Sequence, residues 1–141
     1  MKKALMMSIM ALVVFSACGQ KLSASKVPQA VKTSFEKQYP DISPKWEKED
    51  GKYEATFKQS GKTMSAMFTP AGIFTESETA IKTTELPASI STYVKEHYTG
   101  KTIKGAAKIT KQNGIVNYEV VINGKDVMFD ANGKFLEEEK D

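Results

Sequence analysis

The feature that most constrains this 141-residue sequence is an internal repeat. The segment VPQAVKTSFEKQYP at 27–40 aligns with LPASISTYVKEHYT at 86–99, and both place apolar residues four positions apart. This spacing lines the apolar residues along one face of a helix. Pro28 and Pro87 fall in the first helical turn, where a missing N–H has no intrahelical partner to lose. The sequence therefore predicts two equivalent amphipathic helices of about 12 residues.

Strand signals follow both helices in the same order. Apolar and polar residues alternate over 52–58 and 63–68 in the first unit, and over 116–122 in the second. Turns at Ser60-Gly61 and Asn123-Gly124 connect these runs as hairpins. Equivalent positions agree in detail: Tyr53 with Tyr118, Glu54 with Glu119, Met67 with Met128, Phe68 with Phe129, and Gly72 with Gly133.

The repeat predicts an α+β fold. Each unit, residues 26–80 and 85–139, reads as one helix followed by about four antiparallel strands. A unit of roughly 55 residues buries too little surface to be stable alone. We therefore predict one domain over residues 26–141, in which both units share a roughly eight-stranded sheet. Both helices cover one face of this sheet, and the other face is open to water.

The N-terminus reads as a targeting segment. Lys2 and Lys3 precede an apolar stretch from Ala4 to Phe15, which is shorter than the ~20 residues that span a bilayer. This layout is typical of a secretory signal peptide, and a buried helix or a membrane anchor is the alternative. The FSAC sequence at 15–18 resembles the lipobox of bacterial lipoproteins. That resemblance implies a signal peptide over 1–17, lipidation of Cys18 and a polar tether over 18–25.

Charge and sorting signals favour an envelope location. By resemblance to lipoprotein sorting signals, Gly19 rather than Asp after the cysteine favours the outer membrane, and the lack of an acidic cluster after Cys18 favours its periplasmic face. Removal of residues 1–17 leaves 18 lysines against 17 acidic residues. This near-neutral chain has no arginine, the residue that best contacts guanine and phosphate, so we expect no nucleic-acid partner.

The paired [VL]-P-x-[AS]-[VI]-x-x-x-[FV]-x-x-x-Y helices and the repeated x-F-x-x-x-G-x-[FL] hairpins, together with the lipobox, resemble a known family. They resemble the PepSY-like, β-lactamase-inhibitor-protein-like domain of bacterial envelope lipoproteins over about residues 26–139. The resemblance implies a tandem domain outside the cytoplasm that has no catalytic machinery. Its founding relatives bind and inhibit secreted enzymes. No inhibitory contact residue is recognisable in this sequence.

Few residues offer catalytic or metal-binding chemistry. His97, the only histidine, lies near the end of the second helix, and Gln38 takes its place in the first unit. We expect a surface or capping role for His97, because it lies at the edge of the apolar face near the C-terminus of the helix. A catalytic triad is disfavoured, because the sequence has no GxSxG elbow. The 130–133 segment and the acidic tail from Glu137 lack full calcium-loop spacing, so we expect a turn and a solvated terminus. The alternative is a cation site formed by these carboxylates. The prediction is a non-enzyme without metal or cofactor.

The open face of the sheet is the predicted binding surface. Alternation directs one set of side chains towards the helices, namely Tyr53, Phe57, Phe68, Tyr118, Val120 and Phe129. A second set points the other way: Glu54, Met67, Glu119, Val121 and Met128. Two exposed methionines at equivalent positions would form an adaptable contact surface. Trp46 joins this candidate set because tryptophan is enriched at interfaces, with a core position as the alternative.

These observations predict a lipid-anchored envelope protein that binds a protein or peptide partner through its open sheet face. Inhibition or regulation of that partner is the implied role. The alternative is a protein that binds a small ligand or a cation through its carboxylates.

Overall fold

The structure, a computed structural model, describes residues 19–139. The signal peptide predicted over 1–17 and the lipidation predicted at Cys18 lie outside this part of the chain. Residues 19–139 contain two α-helices, α1 (Gln29–Gln38) and α2 (Ala88–His97). The strands are β1 (Gln20–Leu22), β2 (Lys45–Glu49), β3 (Lys52–Gln59), β4 (Lys62–Phe68), β5 (Phe74–Ile81), β6 (Ile103–Lys111), β7 (Val116–Ile122), β8 (Lys125–Asp130) and β9 (Phe135–Glu138).

The strands form one antiparallel sheet in which their spatial order is their sequence order. Helix α1 lies between β1 and β2, and α2 lies between β5 and β6. Each repeat therefore contributes one helix and four strands, β2–β5 in the first unit and β6–β9 in the second. The predicted α+β fold with two helix-plus-strands units is confirmed. Strands β5 and β6 join the units through six paired positions, from Glu76–Lys111 to Ile81–Ala106.

A ninth strand lies within the segment expected to be a tether. Residues Gln20–Leu22 pair with β2, and Leu22 lies opposite Trp46. A short 3-10 turn over 24–26 then leads to α1, just as a turn over 83–85 leads from β5 to α2. Leu22 and Ile81 occupy equivalent places before these turns, and each packs partly buried against a hydrophobic core. The ordered domain therefore begins before residue 26, and the sheet has nine strands rather than eight.

Both helices are ten residues long and begin immediately after a proline. Pro28 caps α1 rather than lying in its first turn, and its carbonyl accepts hydrogen bonds from the Val31 and Lys32 amides at 3.1 Å each. Pro87 has the same place before α2. The missing proline N–H therefore costs neither helix a hydrogen bond.

Two hydrophobic cores fill the space between the helices and the sheet. In the first, the Phe35 ring from α1 meets the Phe57 ring edge-on, with centroids 5.2 Å apart. The second forms around Ile90 of α2, which has no exposed surface. The side chains predicted to face the helices do so, and all except the partly buried Tyr118 are buried. Burial of large apolar side chains at about 1.5–3 kcal/mol each supplies the main stabilisation of both units.

Each unit fastens a hairpin turn to its helix in the same way. Ser34 of α1 donates a hydrogen bond to the Gly72 carbonyl at 2.6 Å, and Ser89 of α2 donates one to the Asn132 carbonyl at 2.9 Å. Gly72 has φ of +81°, and a Cβ there would lie 2.5 Å from a helix carbonyl oxygen. Glycine is therefore required by both the backbone conformation and the close approach.

Within residues 19–139, no helix is long and apolar enough to cross a membrane.

Candidate functional site

The sheet face opposite the helices is rich in carboxylates. Strand alternation and cross-strand register place acidic side chains of β2, β3, β5, β7, β8 and β9 on this face, and a further one lies just beyond β9. We call this face the acidic hollow. Its acidic residues are Glu47, Glu49, Glu54, Glu76, Glu78, Glu119, Asp126, Asp130, Glu137 and Glu139.

The influence of a charge beyond β9 on a carboxyl group in β2 indicates that the sheet is curled and that this face is concave. In a flat sheet, β2 and β9 would be about 34 Å apart, at about 4.8 Å per strand. Yet the charge of Glu139, which follows β9, raises the pKa of Glu49 in β2 and that of Glu119 in β7. Charges separated by more than about 10 Å are largely screened. The sheet must therefore curl, as the right-handed twist of its strands allows.

Glu119 lies on the hollow side of β7 and has no exposed surface. Neither of its carboxylate oxygens has a hydrogen-bond partner. Burial, and after it the nearby charges of Glu78, Asp126, Glu139 and Glu76, together raise its pKa to about 9. At neutral pH this carboxyl group therefore retains its proton, because both desolvation and like charges oppose ionisation.

Glu54 is the equivalent residue in β3 and is 6% exposed. Its pKa is raised to about 7, because burial and the charges of Glu49, Glu47 and Glu76 outweigh the opposite effect of a hydrogen bond from the Ser65 hydroxyl. The pKa of Glu49 is also raised, mainly by burial and to a smaller extent by neighbouring negative charges. The hollow thus holds several carboxyl groups whose ionisation is opposed by their surroundings.

Sequence comparison identifies the family. The beta-lactamase-inhibitor-like, PepSY-like family matches residues 15–75 and again residues 51–137, in keeping with the two structural units. The chain belongs to this PepSY-like family. A comparison with curated proteins found no match.

Solved structures share the fold of this PepSY-like chain. A DUF2874 family protein from Bacteroides ovatus has a TM-score of 0.71 and 17% identity, over 79% of this chain and 86% of that chain. A BLIP-like protein from Bacteroides fragilis has a TM-score of 0.64 and 23% identity, over 79% and 85%. A protein from Bacteroides eggerthii, provisionally described as periplasmic, has a TM-score of 0.69 and 18% identity, over 80% and 88%. At these identities the likeness concerns the fold alone.

Five of the six candidate partner-binding residues lie on the hollow face of this PepSY-like domain, in two groups, one on β3 and β4 and one on β7 and β8. Met67 lies across from Glu54, and Met128 lies across from Glu119. Val121 lies opposite an acidic residue of β8. The expectation of two exposed methionines is wrong, since Met128 is only 4% exposed and Met67 is half-buried.

Trp46 is not part of the hollow. It is 6% exposed and lies in the core on the helix side, opposite Ala55 of β3. Its ring meets the Phe35 ring edge-on at 5.5 Å between centroids. The alternative that tryptophan is a core residue is therefore correct, and its inclusion among partner-binding residues is wrong.

Sequence reasoning missed several carboxylates of the hollow, above all Glu78 and Asp126. Glu78 extends the alternation of Glu76 along β5, and it is 6% exposed on the same face. Asp126 lies two residues after the Asn123-Gly124 hairpin and faces Val121 across the strands. The period-2 pattern of T-E-S-E-T over residues 75–79 is the sequence signal that could have identified Glu78.

The remaining candidate groups have structural surroundings. His97 is exposed at the end of α2, its ring stacks on Tyr93 at 3.9 Å, and its Nδ1 lies 3.0 Å from the Tyr93 carbonyl oxygen. This is the surface position expected for it. Asp130 accepts hydrogen bonds from the Asn132 and Lys134 amides at 2.8 and 3.0 Å, so the segment is a turn, as expected.

The acidic tail is partly built into the sheet. Glu138 of β9 accepts a hydrogen bond from the Tyr98 hydroxyl and forms an ion pair with Lys125 at 3.0 Å, whereas Asp141 lies outside the described residues. Between residues 19 and 139, no three His, Cys, Asp or Glu side chains are grouped closely enough to hold a metal ion.

Proposed function

We propose that this chain is a non-catalytic, lipid-anchored protein of the bacterial cell envelope, and that it inhibits or regulates a protein or peptide partner bound in the acidic hollow. The observation that carries the proposal is the hollow itself. Both helices of the described chain pack on the opposite face of the sheet. A concave face nine strands wide is large enough for a protein surface or an extended peptide.

The buried carboxyl groups of the hollow lower the stability of the folded chain, which supports a role in binding a partner. Burying carboxylates without hydrogen-bond donors costs stability, about 1–3 kcal/mol or more for each unsatisfied group. Glu119 incurs such a cost in the free protein. A partner that supplies the missing donors would recover it. Membership of a beta-lactamase-inhibitor-like family agrees with a role in binding another protein.

Site-specific photo-crosslinking in intact cells tests the use of this face. A photoreactive amino acid at Met67 or Val121 lies half-buried in the hollow, whereas one at Glu36 lies exposed on α1. We expect a discrete crosslinked product from the two hollow positions and none from Glu36. Crosslinking from Glu36 alone, or equal products from all three positions, would contradict the proposal.

The lipid anchor has a separate test. The lipobox resemblance proposes Cys18 as the acylated residue, at the periplasmic face of the outer membrane. We expect metabolic palmitate labelling of the wild-type protein, and its loss in Cys18→Ala together with release from the membrane fraction. A Ser16→Ala variant is the matched control, because it keeps a small residue at that position. A Cys18→Ala protein that remains membrane-bound would refute the anchor.

A further inference from the structure

The two units treat their equivalent buried glutamates differently. In the first unit, the Ser65 hydroxyl hydrogen-bonds to Glu54. The repeat places Asp126 of β8 where Ser65 lies in β4, since each is two residues before the methionine that faces the glutamate. The second unit has thus replaced a hydrogen-bond donor with an acid.

This exchange leaves Glu119 without a donor. It is wholly buried, neither of its oxygens has a hydrogen-bond partner, and the nearest charges that act on it are acidic. If Glu119 served only for packing, the protein would be more stable with an apolar residue at position 119. A serine at position 126, as at position 65 of the first unit, would also stabilise it by supplying a hydrogen-bond donor. The surroundings of Glu119 are therefore those of a site that needs a positively charged group.

The arrangement of the carboxylates indicates what kind of cation fits. They come from separate strands, β5 for Glu76 and Glu78 and β8 for Asp126, and Glu139 follows β9. Within the described chain no three of them are close enough for a metal ion. An ammonium or guanidinium group has three or five N–H donors directed outwards, and so it suits acceptors spread around it.

The immediate neighbours of Glu119 can give way to such a group. Cross-strand register places Ala107 on one side and Met128 on the other. The alanine side chain is a single methyl group, and the unbranched methionine side chain has several rotamers of similar energy. Long side chains such as lysine and arginine can extend an apolar stem past methionine while their charged end reaches a carboxylate.

We propose that Glu119, with the acidic residues around it, receives the charged end of a lysine or arginine side chain of the partner. This inference rests on the proposed function, since it names the chemistry of the partner that the hollow binds. In the free protein Glu119 holds a proton, which the incoming cation displaces to the solvent. Binding then places a cation against a carboxylate away from water, where the attraction is strong.

Calorimetric titration with hexalysine and hexaarginine peptides tests the inference. We expect Glu119→Gln to weaken binding at least tenfold at about pH 8. The matched control is Glu137→Gln, which removes an exposed carboxylate across from Met128 on the same face. This control should change affinity less than about threefold, since exposed ion pairs contribute about 0–1 kcal/mol.

The two variants separate a specific contact from general attraction. Because Glu119 is protonated in the free protein, its replacement by glutamine removes little charge at neutral pH, and general attraction of a basic peptide would survive. Wild-type affinity should also rise from about pH 6.5 to about pH 8.5, with a smaller rise in Glu119→Gln. Equal affinities of the two variants would overturn the inference.

Two further outcomes are informative. Stabilisation by calcium chloride that depends on Glu119, without peptide binding, would overturn the inference in favour of a metal site. Crosslinks from the hollow in cells, combined with wild-type peptide affinity in Glu119→Gln, would overturn only the role of Glu119 and leave the proposed function standing. Thermal melts of each variant establish that it is folded.

Discussion

At position 119 the chain keeps a glutamate where a folded domain gains most from an apolar residue. The side chain is fully buried among Glu78, Asp126, Glu139 and Glu76, and burial together with these charges raises its pKa to about 9. A carboxyl group whose pKa is higher in the folded state than in the unfolded state holds its proton more tightly when folded. Its effect on stability therefore depends on pH with a defined sign.

The contribution of Glu119 to stability should fall as pH rises. Below about pH 4.5, the ordinary pKa of a glutamate, the group is protonated in both the folded and the unfolded state. Its protonation then does not change the free energy of unfolding. Between about pH 4.5 and about pH 9 the unfolded chain ionises while the folded chain does not, so stability falls by up to about 1.4 kcal/mol per pH unit. Glu119→Gln removes this loss.

Denaturant unfolding of the two proteins across this range is the measurement. Near pH 4.5 we expect similar free energies of unfolding, whereas near pH 8 Glu119→Gln should be more stable by about 2–4 kcal/mol. Glu54 remains in both proteins, so its own raised pKa cancels in the comparison. A difference that does not change with pH would show that Glu119 is ionised or solvated in the folded protein.

Sequence alone predicts the side of the sheet to which a residue points better than it predicts burial. Alternation assigned Glu54 and Glu119 to the face away from the helices, because successive side chains of a strand point to opposite sides. The burial of Met128, which pairs with Glu119 and Glu137, depends on neighbouring strands that are distant in sequence, and no local pattern records them. The side of the sheet to which Trp46 points could not be predicted, because the single apolar residue in KWEKE does not fix the strand register.

At the scale of elements, the repeated helix-and-hairpin contact is the most specific feature of each unit. Gly133 lies in the turn before β9 with φ of +80°, and a Cβ there would collide with the Ser89 side chain of α2. Gly124 has the same φ in the turn before β8, but no atom lies within 4 Å of its would-be Cβ. A side chain at Gly124 would therefore meet only backbone strain, whereas one at Gly133 would meet both backbone strain and a steric clash with α2.

Replacement of each glycine by alanine should reveal this difference. Gly124→Ala carries only the backbone cost, about 1 kcal/mol. Gly133→Ala carries the same cost and also pushes β9 away from α2, so we expect a loss of about 2–4 kcal/mol. Thermal unfolding of both variants compares them directly. Equal losses would mean that the turn moves away from α2 without resistance.

Element boundaries were predictable where turns and caps are local, and they failed where pairing is long-range. Prolines and hairpin dipeptides located both helices and most strands, because their conformational preferences act within a few residues. The strand at Gln20–Leu22 carries no such signal and is defined by pairing with β2. Its equivalence to the end of β5 was nevertheless available in the repeat, since Leu22 and Ile81 both lie five residues before Val27 and Leu86, which precede the prolines.

At the scale of the whole molecule, two separate hydrophobic cores share one sheet. The cores have no buried residue in common, yet β5 and β6 pair across six positions without interruption. Each unit alone is near the lower size limit for a stable domain. Since the central pair of strands borders both units, unfolding of one unit would expose the edge strand of the other. We therefore expect the two units to unfold together.

A mild core substitution in one unit tests this cooperativity. Ile90→Val removes one methylene from the second core and should cost about 0.5–1.5 kcal/mol. If the sheet unfolds as one unit, the slowest-exchanging amides of β3 and β7 should lose protection by the same factor, about 2- to 10-fold. Glu96→Gln on the exposed side of the same helix is the control and should leave both strands unchanged. Faster exchange confined to β7 would show that the repeats unfold independently, so that sheet continuity joins them without coupling their stability.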